Sequence, residues 1–458
     1  MEKQQNKMGY APITPLLVTM ALPAMISMLI QALYNIVDSI YVSRISSEAL
    51  SAISLAFPIQ TLMIAVIVGT NVGINSLVSR RLGERRQSEA NDAAAHGIVI
   101  AIFSWAVIAL LGFFGSHAFF SMSTSNQTII DMGVSYTTIV TVFCIFSSVQ
   151  VCVEKTLQAT GNMIFPMCSQ LIGCVTNIIL DPIFIFGYFG VPAMGIRGAA
   201  IATVTGQAFG MIFCLCILKF KNHAIQISFK KFRLKKSVIK DIYQVGFPSI
   251  IMQAIASVMI TFLNMILIAF SESAVNVLGI YYKLQSFVFM PIFGLTQGAM
   301  PILGYNYGAG YKDRLIKTLK VGTVLAVGIM VVGTLIFQLL PTPLLALFNA
   351  DAATMEIGIP AMRVISLCFI PAALGIMFST VFQAVGKGFN SLLLSLVRQL
   401  ICILPVAYLL SKISLIAVWY AFPIAEVVSL LLAIFMFTSL YRKKLVHLVP
   451  IDGRNANA

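Results

Sequence analysis

Two carboxylic acids sit inside long apolar runs: Asp38 in 34-YNIVDSIYV-42 and Asp181 in 177-NIILDP-182. A charge in hydrocarbon costs about 2.5–3.5 kcal/mol on insertion scales, so each acid needs a reason to be there. Asn177 and Asp181 are four apart, which places both on one helix face. Pro182 has no backbone N–H, so it frees the carbonyl of Ile178. Thr203, in 195-GIRGAAIATVTGQ-207, contributes a hydroxyl. At about 1.5 Å per residue from the expected helix ends, Asp38, Asp181 and Thr203 all fall roughly 10 Å below one membrane surface. One pocket could then offer two carboxylates, an amide oxygen, a hydroxyl and a spare carbonyl. Oxygen-only ligands suit a hard cation such as Na+. Two close carboxylates also suit a proton, because like charge and desolvation both favour the neutral form. The plainer alternative is a set of separate polar residues, each hydrogen-bonded within its own helix.

The second half of the chain carries Arg398 and Glu426, both expected near mid-depth, where an ion pair is possible. Their role is either structural or in gating and cation binding, and they join Tyr34 as candidates for lining a substrate cleft. Tyr34 lies one helical turn before Asp38. Glu154 and Lys155 are expected at the membrane interface at the inner end of the fourth span. Arg363 is expected to snorkel near the outer end of the tenth span, and Glu272 to lie in a loop.

Other chemistries find no residues. The chain has no GxxxxGK[ST] phosphate loop, no HExxH and no GxSxG. The eight Cys form no CxxC and no zinc spacing with the four His, so they read as packing residues. No enzyme activity, cofactor or structural metal is expected.

The elements that must position the acids follow from composition. Hydrophobic residues are 59% of the 458 and charged residues 10%, against about 25% charged in soluble domains. The apolar runs reach 20 or more residues without the two-residue alternation of a membrane barrel. An all-α membrane protein follows, with twelve spans near 14–43, 53–79, 94–118, 131–153, 163–187, 196–218, 241–269, 279–304, 318–341, 357–381, 390–411 and 415–440. The N-terminal stretch lacks the short apolar core and cleavage site of a signal peptide. The net charge of +14 is not a nucleic-acid footprint, since the cations sit in short loops on one side of the expected membrane. Only Arg44, Arg197 and Lys412 fall on the other side, and Lys283, Arg363 and Arg398 fall within spans. By the positive-inside rule both termini are expected in the cytoplasm.

Shifting the chain by 225 positions brings Pro23 onto Pro248, Ala49 onto Ala274 and Gln60 onto Gln285. Gly69, Gly73, Gly83 and Gly97 meet Gly294, Gly298, Gly308 and Gly322, and 158-QATG-161 meets 383-QAVG-386. This is a duplicated six-helix unit, and an even number of crossings makes the repeats parallel. In that architecture a substrate path runs between the halves and is exposed to each side in turn. The expected layout is a first lobe over 1–218, a basic cytoplasmic linker over 219–240, a second lobe over 241–440 and a cytoplasmic tail over 441–458. The repeat match of Asp38 is Leu263, and that of Asp181 falls near Val406, so the acids belong to one half. Without an ATP site, a duplicated twelve-span protein is most simply a secondary transporter. Its 22 Met and 32 Phe suit loosely selective binding of amphipathic, often cationic molecules.

The strings 35-NIVDSIYVSRI-45, 49-ALSAISLAFPI-59, 177-NIILDPIFIFG-187 and 195-GIRGAAIATVTGQ-207, with the two QA[TV]G segments, resemble the multidrug and toxic compound extrusion (MATE) family over about residues 10–440. The resemblance implies two six-helix lobes in a V around a central cleft and cation-coupled export of drugs and toxic organic cations. The implied setting is a bacterial cell membrane and a monomer, in which such a protein confers antibiotic resistance. It assigns Asp38, Asn177, Asp181 and Thr203 to coupling by H+ or Na+, with Na+ the metal they could hold. One branch of the family carries a sodium-binding pair of acids on the seventh and tenth spans. Here those spans offer Gln253, Asn264 and Arg363 and, apart from Asp241 at the very first position of the seventh, no acid, which favours the bacterial branch coupled through the first lobe. The competing expectation is a lipid-linked oligosaccharide flippase of related architecture. It requires a cleft lined with Arg and Lys to hold pyrophosphate; Arg363 and Arg398 are its candidates, and the first-half spans supply none.

Overall fold

A computed structural model describes residues 6–220, 224–229 and 232–451, apart from the side chains of Ser39 and Ser43. The outermost parts of the expected termini, and positions 221–223 and 230–231 of the expected linker, lie outside the described residues. Among the described residues every regular element is helical. Ten helices are each long and apolar enough to cross a membrane, and two bent pairs bring the number of spans to 12.

The first six spans are α1 (Ile13–Ser43), α2 (Ser47–Gly83), α3 (Gln87–Ser123), α4 (Gln127–Val142 and Ile145–Ala159), α5 (Ile164–Phe186) and α6 (Ile196–Phe220). The next six are α7 (Lys236–Ile268), α8 (Glu272–Gly308), α9 (Lys312–Leu339), α10 (Ala352–Ser366 and Phe369–Ala384), α11 (Gly388–Ser411) and α12 (Leu415–His447). The fourth span of each six is the bent one, by 42° in α4 and 47° in α10. The α4 break carries no proline, whereas Pro371 lacks the N–H that would close onto the Leu367 carbonyl at the α10 break, and side chains from neighbouring helices take up freed carbonyls at both. Trp105 Nε1 donates to the Val142 carbonyl at 2.7 Å, and Gln338 Nε2 donates to the Arg363 carbonyl at 2.7 Å. A π-helical stretch over Val397–Ile403 interrupts α11.

The turns between spans one and two of each six are built alike. Ser46 accepts from the Ala49 N–H at 3.1 Å, and Ser271 accepts from the Ala274 N–H at 3.2 Å. Glu272 is therefore the first residue of α8 rather than a loop residue, because Ser271 already caps the helix. After α4 and α10 the chain turns through Gly161 and Gly386, at φ +90° and +81°, where a Cβ would be strained.

Both described ends of the chain lie on one face, called here the near face. There Arg314 donates to the carbonyls of Met8 and Ala11, and the Ile451 N–H donates to the Ala309 carbonyl. The two sixes meet along a seam in the near half, and the duplicated glycines form it. A Cβ on Gly69 of α2 would overlap Ile250 of α7, and one on Gly294 of α8 would overlap Met25 of α1. Gly73 abuts Ile242 and Gly246, while Gly298 abuts Ala21. Gly83 abuts the Tyr305 carbonyl, and Gly308 abuts that of Arg80. Each contact is the other displaced by one repeat, so the seam has a local two-fold axis. Removing Cβ here lets backbones approach to the distances that bind membrane helices together.

Candidate cation site in the first lobe

α5 and α6 cross where Gly173 meets Gly206, whose Cβ would overlap the Gly173 carbonyl. That close crossing holds the faces carrying Asn177 and Thr203 against each other one turn further along. Asn177 and Asp181 are buried, at 2% and 0% exposure, while Tyr34, Asp38 and Thr203 are half-buried. With its amide turned to satisfy both neighbours, Asn177 donates to Asp181 Oδ2 at 2.8 Å. Its oxygen accepts from the Thr203 N–H at 3.0 Å and the Thr203 hydroxyl at 3.2 Å. The sequence-predicted group of α5 and α6 is thus one hydrogen-bonded unit.

α1 brings the second acid to it. Asp38 and Asp181 lie close enough to act on each other electrostatically, and the Tyr34 phenol is within reach of Asp38, Asp181 and Thr203. Sequence reasoning missed two further members. Tyr136, on the far part of α4, is buried and within electrostatic reach of both acids. Its hydroxyl accepts from Gln60 Nε2 of α2 at 2.8 Å. Gln60 had left a signal as one of the few polar residues kept in both repeats; Tyr136 had none beyond its phenol. Five helices therefore converge on two carboxylates, two amides, a hydroxyl and two phenols. No group of three or more His, Cys, Asp or Glu gathers among the described residues, so the donor set is two acids supplemented by neutral oxygens.

Arg398 and Glu426 are placed apart from this nest, within the second lobe. Arg398 Nη1 donates to Glu426 Oε1 at 3.3 Å, with the Glu426 side chain 11% exposed. Tyr281, Tyr282 and Cys368 lie within electrostatic reach of the pair. The far half of this lobe also holds a cavity of about 600 Å³ bordered by Asn264, Asn276, Tyr282, Lys283 and Asp351. Lys283, which the sequence marked only as lying within a span, is thus a cavity-lining cation. Arg363 is exposed, as a snorkelling side chain is. Glu154 faces the interior of the lobe rather than water: it is 2% exposed between α4, α5 and α6, where Gln150 and Gln170 donate to it.

The MatE family profile matches residues 23–183 and again 248–409, two stretches whose starts are one repeat apart. The chain belongs to the MatE family. Among its relatives are the multidrug export protein MepA of Staphylococcus haemolyticus and the probable multidrug resistance protein NorM of Thermotoga maritima. The first is 25% identical over 92% of this chain and 92% of its own length, the second 25% over 94% and 93%. An FAD transporter of Shewanella oneidensis is also 25% identical, over 90% and 91%. The fold matches the outward-facing structure of a multidrug resistance MATE family transporter at a TM-score of 0.90, with 25% identity over 97% of this chain and all of the other. The protein is accordingly a multi-span membrane transporter of the MATE type with the two-lobe architecture, and not an enzyme.

Proposed function

We propose that the protein exports amphipathic, often cationic drugs and toxic organic compounds across a bacterial plasma membrane by antiport against H+ or Na+. The observation that carries this reading is the first-lobe nest. Two acids on α1 and α5 act on each other electrostatically, and Asn177 joins one of them to Thr203. Such a nest is costly empty and is relieved by one small cation, so its occupancy biases which side of the membrane the lobes close. Asp38, Asn177, Asp181 and Thr203 are the residues that would hold H+ or Na+, and Tyr34 lies at the edge of the nest facing Asp38. Arg398 and Glu426 have a structural role in this scheme, since each satisfies the other.

The near face, with its arginines at the end of α2 and its basic linker, is the cytoplasmic one by the positive-inside rule. The lobes meet in the near half, so the cleft between them opens to the exterior. A cation moving inward releases about 2.3 kcal/mol per 100 mV, enough to bias a two-state rocking equilibrium. The relatives named as multidrug exporters support drug cargo and do not favour the flippase alternative. The test is dye efflux from proteoliposomes under a pH gradient alone and then a sodium gradient alone, for wild type, Asp38→Asn and Asp181→Asn. Loss of gradient-driven efflux in both variants is expected, and full gradient-driven efflux by both would remove the proposal.

A further inference from the structure

Glu154 and Lys155 are neighbours in sequence, yet their charges leave α4 in opposite directions. The Lys155 ammonium donates to Gln158 Oε1 at 2.9 Å and, across the seam, to Gln297 Oε1 of α8 at 2.7 Å. Glu154 turns into the first lobe. Its Oε1 accepts from Gln150 Nε2 at 3.0 Å and its Oε2 from Gln170 Nε2 at 3.3 Å. Gln150 Nε2 also reaches Ser169 Oγ at 3.0 Å, and that hydroxyl donates to the Gly210 carbonyl of α6 at 3.1 Å. All of Glu154's partners are neutral. The titratable groups within electrostatic reach are Lys155 on its own helix, Cys174 on α5 and Cys214 on α6.

A buried carboxylate with no cation against it carries a cost of several kcal/mol that amide donors offset only in part. Taking up a cation removes it. The surroundings select which cation. Gln150 and Gln170 turn Nε2 groups, not oxygens, toward Glu154, so no oxygen shell is presented there to a metal ion. A proton needs none. Along α5 the Glu154 partners Ser169 and Gln170 lie seven to eight residues nearer the near face than Asn177, about 11 Å at the helical rise. The Gly173–Gly206 crossing stands between the two groups.

We propose that Glu154 is a second proton-binding site of the first lobe, serving its cytoplasmic half as Asp38 and Asp181 serve the exterior half. The proton arrives from water on the near side, bonds to a Glu154 oxygen and makes the carboxyl neutral; on release it returns to that water. This rests on the antiport reading for its place in a transport cycle, but the site itself can be tested alone.

The test has two arms. Infrared difference spectra between alkaline and acidic protein in detergent detect protonated carboxyls directly. Wild type should gain a carboxyl band that is missing in Glu154→Gln, displaced in Glu154→Asp and retained in the Asp38→Asn/Asp181→Asn protein. An unchanged band in Glu154→Gln overturns the proposal. If that variant is too unstable to purify, the Glu154→Asp spectrum decides: no displacement also overturns it. In proteoliposomes, acidifying the side facing the near face should slow wild-type efflux, and Glu154→Gln should lose that dependence while keeping the dependence on the opposite side. Should Asp38→Asn and Asp181→Asn transport like wild type, the antiport reading fails, and the Glu154 band still stands or falls by its own spectrum.

Discussion

Asn177 spends one amide on two neighbours, and that makes it the residue through which Asp181 and Thr203 sense each other. Asn177→Ala leaves Asp181 without its buried donor, a loss of about 1–3 kcal/mol. Because that donor favours the ionised form, its loss makes the proton easier to take up, and the expected outcome is a fall of roughly tenfold or more in the H+ concentration that half-saturates transport, read from efflux at stepped pH gradients. Thr203→Val should have the smaller effect, since Asn177 still holds Asp181. In the second lobe the Arg398–Glu426 pair behaves differently. Arg398→Met strands a buried carboxylate and should destabilise by about 3–5 kcal/mol, while Arg398→Met combined with Glu426→Leu should be close to neutral. Thermal unfolding in detergent separates the two, and equal loss in the single and double variants would mean that the pair does not act as one unit. The acids, Asn177 and Thr203 were legible because a polar residue in an apolar run stands out and because a spacing of four selects a face. Glu154 was misread because distance from a helix end sets depth but not direction. Its burial depends on packing against α5 and α6 and on two glutamine side chains that no periodicity marks.

At the scale of elements, the duplicated turns carry their own stability. Ser46→Ala and Ser271→Ala each remove one capping bond, at a cost of about 1 kcal/mol apiece. The two caps belong to different lobes and share no partner, so the losses should add in the double variant. Thermal unfolding of the two single variants and the double checks this, and a double variant no worse than either single would show that one lobe unfolds without the other. The span number was legible from run length, and so was the pairing of α1 with α7 and of α2 with α8 from the constant shift. The bends in α4 and α10 were not. No proline marks the α4 break, and Pro371 just past the α10 break looks no different in sequence from Pro23, Pro58 and Pro248, which lie inside unbroken helices; what stabilises the bends, Trp105 and Gln338, comes from helices adjacent only in the folded protein.

The whole molecule turns on the seam. Because a Cβ at Gly73 or Gly298 overlaps backbone of the opposite lobe, Gly73→Leu and Gly298→Leu should push the near halves apart and depopulate the near-closed state. Distances between spin labels placed on the two lobes at the near face would lengthen in both variants by similar amounts, and unchanged distances in either would show that the seam yields elsewhere. The glycines themselves were visible in the sequence as repeat matches, although nothing there said that they face each other rather than lipid. The seam also bears on the duplication. Its two sides are copies of one surface, pairing α2 with α7 and α8 with α1 by the same contacts, which is the geometry of two identical subunits related by a two-fold axis. A single six-helix polypeptide bearing those glycines could meet its own twin along the same line, so one surface, used twice, supplies both sides of the contact.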